Sequence, residues 1–450
     1  MPPTFAPGAP SGVMPGVVRG AYRCIQRRGV HHKVSYLQLR EFARRHFVDA
    51  AVAFVKPHPE LGVLRLQSLD FSIGLYGHFC GGVAGVAVAL LAPVTGVMVD
   101  AAYRRRTALA ALTGAAVVLT ASMTFIKPDY HYLWIGLALL AATAACMDLA
   151  TVPYNAMLRQ LSTPTTAGRI SGFGLAAGFF GSVVLLLLVF VGFKAGSGDT
   201  LGLLGIPNSD GKPDRYAVLV AAAWFVAFAL PLLLTVKSPP HDGTPAVGFF
   251  GAYRKLWTEV VSEWRRDRNV VYYLLSSAIF RDGLTGISIF GPVVGVSVYG
   301  LAPTSVPLFG AAAFTIAALG AVLGGLLDDR IGSKPVIVAS LASMVAVGVT
   351  LMFLSGPLAF WICGLALCLF VGPTQSAARN LMLRIAADGK EGVAFGLYTT
   401  TGRAAHVLSP WLFAMFIDIF ATTRAGLGGL CTVLVIGLVG MLLVKVPARR

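Results

Sequence analysis

Long apolar segments recur along most of this 450-residue chain and restrict its fold more than any other feature. A helix needs about 20 apolar residues to cross a bilayer. Backbone amides cannot stay unpaired in hydrocarbon, so such segments must be helices, whereas a membrane barrel would show shorter alternating segments. Eleven segments are long enough and are interpreted as membrane spans: 76–99, 107–126, 131–156, 170–193, 215–236, 269–300, 304–327, 335–354, 357–379, 392–420 and 424–446.

The composition agrees with a membrane protein. The chain is 56% hydrophobic and 12% charged, against about 25% charged residues in soluble domains. The predicted fold class is therefore all-α and polytopic. The six cysteines form no CxxC pair and have no histidine pairs near them, so we expect neither disulfides nor a metal site, and we predict no cofactor.

The lysines and arginines indicate how the chain is oriented. One set of alternating loops carries nineteen of them and the other set carries five. The richer set, with the loop 237–268 and the C-terminus, is therefore expected in the cytoplasm, and the protein in the plasma (inner) membrane. The net charge of +16 then reflects topology, and no nucleic-acid partner is predicted.

The start of the chain does not fit the pattern of the rest. Ten lysines and arginines precede the span 76–99, which opposes an external location for this segment. A twelfth crossing is therefore expected before it, and the only candidate, 46–75, is interrupted by charged residues and a proline. Residues 1–72 are either an authentic but degenerate first helix or a misread start.

A short motif at the end of one span recurs at the end of an earlier one. The segment "GGLLDDRIGSK" (324–334) places Gly325 and Asp329 four residues apart, on one helix face. The segment "GVMVDAAYRRR" repeats the spacing with Gly96 and Asp100, and 329 minus 100 gives an offset of 229 residues. The two copies indicate an internal duplication.

A second pair of segments supports the duplication. "VPYNAMLR" and "GPTQSAAR" align 220 residues apart, and Gly172 and Gly392 share that offset. Internal repeats of this kind are common in secondary transporters. We therefore divide the chain into an atypical N-terminal segment (1–72), an N-terminal helical bundle (73–236), a cytoplasmic linker (237–268) and a C-terminal helical bundle (269–450).

The motif resembles a known loop signature. The pattern G-x-x-x-D-R-x-G-x-K is met in the second copy by Gly325, Asp329, Arg330, Gly332 and Lys334. It is similar to the signature of the major facilitator superfamily, which implies two six-helix bundles and a conformational latch on the cytoplasmic side in the outward-open state. The first copy supplies Gly96, Asp100, Arg104 and Arg105. Ala101 and Tyr103 replace the motif's arginine and glycine, so a weaker latch is expected in the N-terminal half.

Three further segments resemble a narrower family. "VPYNAMLRQLSTPTTAGRISGFGLAAGFFGSVVLLLL" (152–188), "AIFRDGLTGISIFG" (278–291) and "PTQSAARNLMLRIAADGKEGVAFGLYTTTGRAAHVLSP" (373–410) look like the vacuole-effluxer, or unidentified major facilitator, family. The likeness covers about 73–446. It implies export of amino acids or similar metabolites.

Charged residues inside predicted spans are the first candidates for function, because charges persist in a bilayer only when paired or facing water. Arg281 and Asp282 lie near half depth of the span 269–300, among glycines and Pro292. These helix-weakening residues predict a locally broken helix whose freed groups contact a solute. The alternative is a structural Arg–Asp pair bonded to neighbouring helices.

Two more candidates lie on one face of the span 392–420. Arg403 is near mid-depth, and its expected partner is either Asp282 or the carboxylate of an anionic or zwitterionic substrate. His406, three residues further on, either titrates in a proton-coupled cycle or is a hydrogen-bonded packing residue.

The span 131–156 and its repeat supply the remaining candidates. Asp148 either binds a proton or pairs with Arg159 or Arg169 at the rim. The duplication aligns Asn155 with Gln375, and these amides either line a vestibule or bind helices together.

The predicted function is secondary active transport of a small solute by alternating access, with proton-coupled efflux of amino acids or metabolites as its expected form. The alternative is a transporter-like membrane sensor or assembly protein that binds a ligand without moving it. The sequence has no HExxH, GxSxG or GxxxxGK[ST] motif, so an enzyme or ATPase is not expected. The expected partners are the small-molecule substrate, protons and the bilayer, with an amphipathic loop helix at 251–269 lying on anionic lipid. A monomer is expected.

Overall fold

A computed structural model describes residues 84–100, 104–195, 200–207, 211–236, 249–266 and 268–445. The chain divides into two compact units, 1–72 and 73–450. All described residues belong to the second unit. The predicted segment 1–72 and its candidate span 46–75 therefore lie outside the described residues.

The described residues are almost entirely helical. The N-terminal half contains α1 (Ala84–Asp100), α2 (Arg105–Ser122), α3 (Leu133–Leu161), α4 (Ala167–Val189) and α5 (Lys212–Thr235). The linker contains α6 (Phe249–Arg266). The C-terminal half contains α7 (Arg268–Ser297), α8 (Val306–Ile331), α9 (Ser333–Phe353), α10 (Pro357–Ile385), α11 (Glu391–Ala405), α12 (Leu408–Phe420) and α13 (Ala425–Leu443).

The helices agree with the predicted spans. Among the described residues, ten candidate spans are long and apolar enough to cross a membrane, one of them formed by α11 and α12 together, and α1 is a shorter apolar helix. The α4 helix continues as a π-helix, Phe190–Lys194. Two short antiparallel strands, β1 (Thr200–Leu201) and β2 (Ile206–Pro207), lie between α4 and α5. The all-α membrane fold predicted from the sequence is confirmed.

The glycine near the end of the repeated motif is explained by the turn between α8 and α9. Gly332 has φ 96° and ψ 160°, a backbone conformation that side chains with a Cβ rarely adopt. Gly332 is the single residue between α8 and α9, so its backbone conformation sets the angle between the two helices.

The predicted break in the span 269–300 is wrong. The α7 helix runs without interruption past Arg281, Asp282 and Pro292. Its glycines serve close packing instead, since a Cβ on Gly283 would lie 2.8 Å from a Leu434 methyl and one on Gly286 2.7 Å from the Ser409 Cβ.

The interruption lies instead within the span 392–420. The α11 helix ends at Ala405, and α12 begins at Leu408. Pro410 has no N–H to donate and its ring clashes with the carbonyl of the residue four positions earlier, which is His406. The break therefore falls at one of the predicted functional residues.

The linker helix α6 is amphipathic, as expected, but one face contacts protein. Ala252 is fully buried in a cluster with Val94, Val97 and Val393. The Tyr253 hydroxyl donates a hydrogen bond to the Leu90 carbonyl at 2.9 Å. The helix therefore packs beside the contact between α1 and α11. Contact of its exposed basic side chains with anionic lipid stays a prediction.

Candidate functional site

Two aspartates join the halves of the molecule at one end, which we call the basic end because Arg105, Arg169 and Arg384 lie there. Asp100, at the end of α1, accepts a hydrogen bond from the Val393 amide at 2.9 Å. Asp329, at the end of α8, accepts hydrogen bonds from the Gly168 and Arg169 amides at 2.8 and 3.0 Å. The first turn of a helix has unpaired amides and a partial positive charge. Each aspartate therefore caps a helix of the opposite half, α11 or α4.

Glycines let the helices approach closely enough for this capping. A Cβ on Gly392 would lie 2.6 Å from the Asp100 Oδ1, and one on Gly168 would lie 2.7 Å from the Asp329 Oδ1. A Cβ on Gly325 would lie 2.6 Å from the Gly168 carbonyl oxygen. The glycine four residues before each motif aspartate is thus needed for the contact between halves.

The capping contacts correct the alignment of the repeats. Gly392 lies against Asp100, and Gly168 lies against Asp329. The structural counterpart of Gly392 is therefore Gly168, at an offset of 392 minus 168, or 224 residues. The predicted pairing of Gly172 with Gly392 is wrong by one helical turn, whereas the offset of 229 between Asp100 and Asp329 agrees with their equivalent positions.

The cap in the N-terminal half belongs to a buried ion network. Arg105 lies 2.8 Å from both the Asp100 and the Glu391 carboxylates and donates a hydrogen bond to the Ala156 carbonyl at 3.0 Å. Arg159 lies 3.1 Å from the other Glu391 oxygen. The exposed fractions of the Arg105, Asp100 and Glu391 side chains are 7%, 8% and 2%. The geometry thus does not support a weaker contact in this half.

The cap in the C-terminal half has an equally buried carboxylate but a more exposed cation. Arg169 pairs with Asp329 at 3.1 Å, and their side chains are 50% and 9% exposed. The preceding residue, Asp328, is fully buried and accepts hydrogen bonds from Ser333 and Asn380 at 2.8 and 2.7 Å. One aspartate of the doublet therefore contacts the other half, and its neighbour stabilises its own half.

The other charged residues predicted for the latch are Lys334, Arg104 and Arg330. Lys334 donates hydrogen bonds to the Leu442 and Val444 carbonyls at 3.1 and 2.6 Å, which are free acceptors at the C-terminal end of α13. Arg104 and Arg330 are exposed at the ends of α2 and α8. Sequence reasoning missed Glu391 and Asp328, although an acidic residue in the first turn of a helix and the Asp-Asp doublet were visible signals.

A polar cavity of about 340 Å³ lies between α3, α7, α10 and α11. All seven predicted substrate or coupling residues line it: Asp148, Asn155, Arg281, Asp282, Gln375, Arg403 and His406. It also contains Tyr398 and Arg379. The structure thus brings the predicted residues together from both halves, while their roles stay predictions.

Arg403 forms its ion pair across the two halves. Its partner is Asp148 on α3, so the predicted pairing with Asp282 is wrong. The alternative pairing of Asp148 with Arg159 or Arg169 is wrong too, because Arg159 binds Asp388 and Glu391. The Arg403–Asp148 pair therefore joins α11 to α3 inside the cavity.

Arg281 and Asp282, although adjacent, do not pair with each other. The Arg281 guanidinium donates a hydrogen bond to the Tyr398 carbonyl at 2.7 Å and lies 3.7 Å from the centre of the Tyr398 ring, which is a cation–π contact. Glycine at position 402 leaves room for it, since a Cβ there would lie 2.9 Å from the guanidinium.

Asp282 binds the start of α12, directly after the helix break. Its Oδ2 accepts a hydrogen bond from the Ser409 amide, in the first turn of α12, at 2.6 Å. Its Oδ1 lies 3.5 Å from the His406 Nδ1 and has no hydrogen-bond partner within the described residues. The Asp282 side chain is 1% exposed, and His406 is 35% exposed. A carboxylate and an imidazole therefore meet where α11 gives way to α12.

Arg379 is a cavity residue that sequence reasoning missed. It was assigned to the cytoplasmic end of the span 357–379, but α10 continues to Ile385. Its Nη2 donates a hydrogen bond to the Ser171 carbonyl at 3.0 Å. Its Nε is buried without a hydrogen-bond partner within the described residues. The error came from ending the apolar segment at its first arginine.

Comparisons with known proteins agree with this architecture. The model of a family described as "Vacuole effluxer Atg22 like" matches residues 61–450. The uncharacterized MFS-type transporter YxiO of Bacillus subtilis is 23% identical over 360 residues, 78% of this chain and 80% of that protein. Autophagy-related protein 22 of Yarrowia lipolytica is 23% identical over 284 residues, 56% of this chain and 46% of that protein. A structure of the E. coli fucose:proton symporter FucP matches with a TM-score of 0.58 and 13% identity, covering 84% of this chain and 98% of that one.

Proposed function

Because the chain belongs to the Atg22-like vacuole effluxer family of the major facilitator superfamily, we propose that it exports amino acids or similar small metabolites by proton-coupled alternating access. Transport of the major facilitator type is shared by its relatives. The observation that carries the proposal is the polar cavity, where ionisable residues of both halves meet between apolar helices.

The contacts at the basic end support alternating access. The halves meet there through the caps of Asp100 on α11 and Asp329 on α4, which hold this end closed. Rocking of one half against the other must break both caps together, because they lie at equivalent points of the two halves. The excess of positive charge supports placing this end in the cytoplasm of a plasma-membrane protein, so the closed end faces inward.

Two ionic contacts in the cavity provide a route for coupling. Protonation of Asp148 would release Arg403 and weaken the connection between α3 and α11. Protonation of Asp282 would weaken its cap on α12, because a neutral carboxyl is a poorer acceptor for the Ser409 amide. The charged groups and the histidine that line the cavity with Asp282 are Arg281 on its own helix, Asp148 on α3, Arg379 on α10, Arg403 on α11 and His406 directly after α11. A proton that enters this group can therefore change both the helix break and the contact between halves.

Flux measurement tests the proposal. Purified full-length protein in proteoliposomes should move radiolabelled amino acids when a pH step is applied. Asp282→Asn should abolish coupled flux while leaving membrane insertion intact. Asp214→Asn is the matched control, because Asp214 is an exposed carboxylate outside the cavity.

The possible outcomes separate the alternatives. Unchanged coupled flux in Asp282→Asn would remove this residue from the mechanism. Saturable ligand binding without flux in any gradient would favour the transporter-like sensor. Light scattering of the detergent-solubilised protein tests the proposed monomer.

A further inference from the structure

The three arginines of the polar cavity differ in their partners. Arg403 is paired with Asp148. Within the residues that the structure describes, Arg281 and Arg379 form no ion pair with a carboxylate. Arg281 donates a hydrogen bond to the Tyr398 carbonyl, and Arg379 bonds to the Ser171 carbonyl and to the Tyr154 side chain. The cavity therefore contains two cationic groups that no acidic side chain of the described chain neutralises.

Arg281 and Arg379 each carry more N–H donors than their protein hydrogen bonds use. A guanidinium carries five N–H groups in a planar fork. Arg281 uses one nitrogen for the Tyr398 carbonyl, and Arg379 uses one for the Ser171 carbonyl. The Arg379 Nε is buried without a hydrogen-bond partner in the described chain. Such a donor indicates an acceptor that the protein itself does not supply.

The charges lining the cavity do not balance. Arg281, Arg379 and Arg403 face Asp148 and Asp282, which leaves one positive charge in excess when His406 is neutral. Both carboxylates are engaged, one by Arg403 and the other by the Ser409 amide. Charges at membrane depth persist when they are paired or meet water, so a single anionic charge completes this site.

A second cavity shares one lining residue with the polar one. It measures about 310 Å³, lies among α7, α8, α9, α10 and α13, and is lined almost entirely by apolar side chains such as Phe309, Met344 and Leu430. Gln375 lines both cavities. A solute bound by its charged group in the polar cavity can therefore place an apolar group in the second one.

We propose that Arg281 and Arg379 bind the carboxylate of a monoanionic cargo whose apolar part enters the second cavity. The guanidinium fork matches a carboxylate in geometry and charge. A zwitterion adds an ammonium group that leaves the excess charge in place, and an amine increases it. This inference rests on the proposed function and narrows its cargo from amino acids or similar small metabolites to those that carry one net negative charge.

Three probes that share a phenylethyl group and differ in charge test the proposal: 3-phenylpropanoate, phenylalanine and phenethylamine. Their affinities are measured by calorimetry on purified full-length protein. We expect 3-phenylpropanoate to bind most tightly and phenethylamine most weakly. Arg281→Gln and Arg379→Gln should each weaken binding of 3-phenylpropanoate by about tenfold or more, because each removes a charge-assisted hydrogen bond.

Matched variants separate recognition from folding. Arg424→Gln removes an arginine that lies outside both cavities and bonds to Ser355, and it should leave affinity unchanged. Arg281→Lys keeps the charge without the fork and should bind with intermediate affinity. It also serves as the readout if Arg281→Gln does not give a monodisperse protein.

The proposal is overturned if 3-phenylpropanoate does not bind, if phenylalanine or phenethylamine binds as tightly, or if both glutamine variants bind like the wild type. Calorimetry requires no flux, so its result is independent of the transport assay. Binding as expected in a protein that moves no solute would overturn the proposed function and support this inference. Transport of neutral amino acids without binding of 3-phenylpropanoate would support the proposed function and overturn this inference.

Discussion

The two halves of the molecule make the same contact at the basic end in different surroundings. In the N-terminal half, Asp100 is one member of a network with Arg105 and Glu391, and all three side chains are at most 8% exposed. In the C-terminal half, Asp329 pairs with Arg169, which is 50% exposed. A buried charge that loses its partner is costly, whereas an exposed pair is screened and contributes little. One motif therefore gives a strong contact in one half and a weaker one in the other.

A departure from a sequence motif can be compensated by a nearby residue. The first copy has Ala101 where the motif has arginine, and this led to the expectation of a weaker contact. Arg105, four residues further along the chain, forms ion pairs with both Asp100 and Glu391. Arg105, at the start of α2, therefore supplies the positive charge that Ala101 lacks.

The largest effect is expected from removing the buried charge of Glu391. Glu391→Gln leaves Arg105 and Arg159 with a neutral amide between them, which should destabilise the folded protein by about 3–5 kcal/mol. The free energy of unfolding can be measured by denaturant titration in mixed micelles. Asp388→Asn is the control, because Asp388 binds the same Arg159 but is 85% exposed. Equal losses in the two variants would contradict the buried network.

A smaller effect is expected on the opening of the basic end, and it should differ between the halves. Asp100→Asn and Asp329→Asn each keep an acceptor for the capped amide but lose the charge. Both should increase the population open at this end, and Asp100→Asn should do so more. Spin labels at the exposed positions 104 and 331 would report the distance between halves. A larger shift in Asp329→Asn would reverse the comparison.

The smallest effect is expected from the exposed cation. Arg169→Gln should change the opening equilibrium by about 0.2–1 kcal/mol, the usual range for an exposed ion pair. The change should shrink further in high salt, because screening already weakens the pair. The same label distances, recorded at two ionic strengths, measure it. A salt-independent loss of several kcal/mol would mean that the pair behaves as a buried one.

The sequence predicted more of the fold than of the contacts. Helical spans follow from the apolar segments, because length and hydropathy determine which segments cross a bilayer. The seven cavity residues were found because charge at mid-depth has few explanations. Their partners were not predictable, since Asp148 and Arg403 are 255 residues apart and only packing of the halves brings them together.

Two errors share a physical cause. Arg379 was assigned to a loop because the apolar segment was ended at its first charge, yet the α10 helix continues to Ile385. The break was assigned to α7 because it contains glycines and Pro292, yet those glycines pack against Leu434 and Ser409. Composition indicates where a helix can be interrupted, and tertiary contacts decide where it is.

The linker helix α6 covers one side of the contact between the two halves. Ala252 is lodged among Val94, Val97 and Val393, on the side of the molecule where α1 meets α11. Under the proposed alternating access, separation on that side would have to displace α6, while the junction of α8 with α4 has no such obstruction among the described helices. The two sides of the basic end would then open unequally, and tension applied through the linker would act only on the contact between α1 and α11.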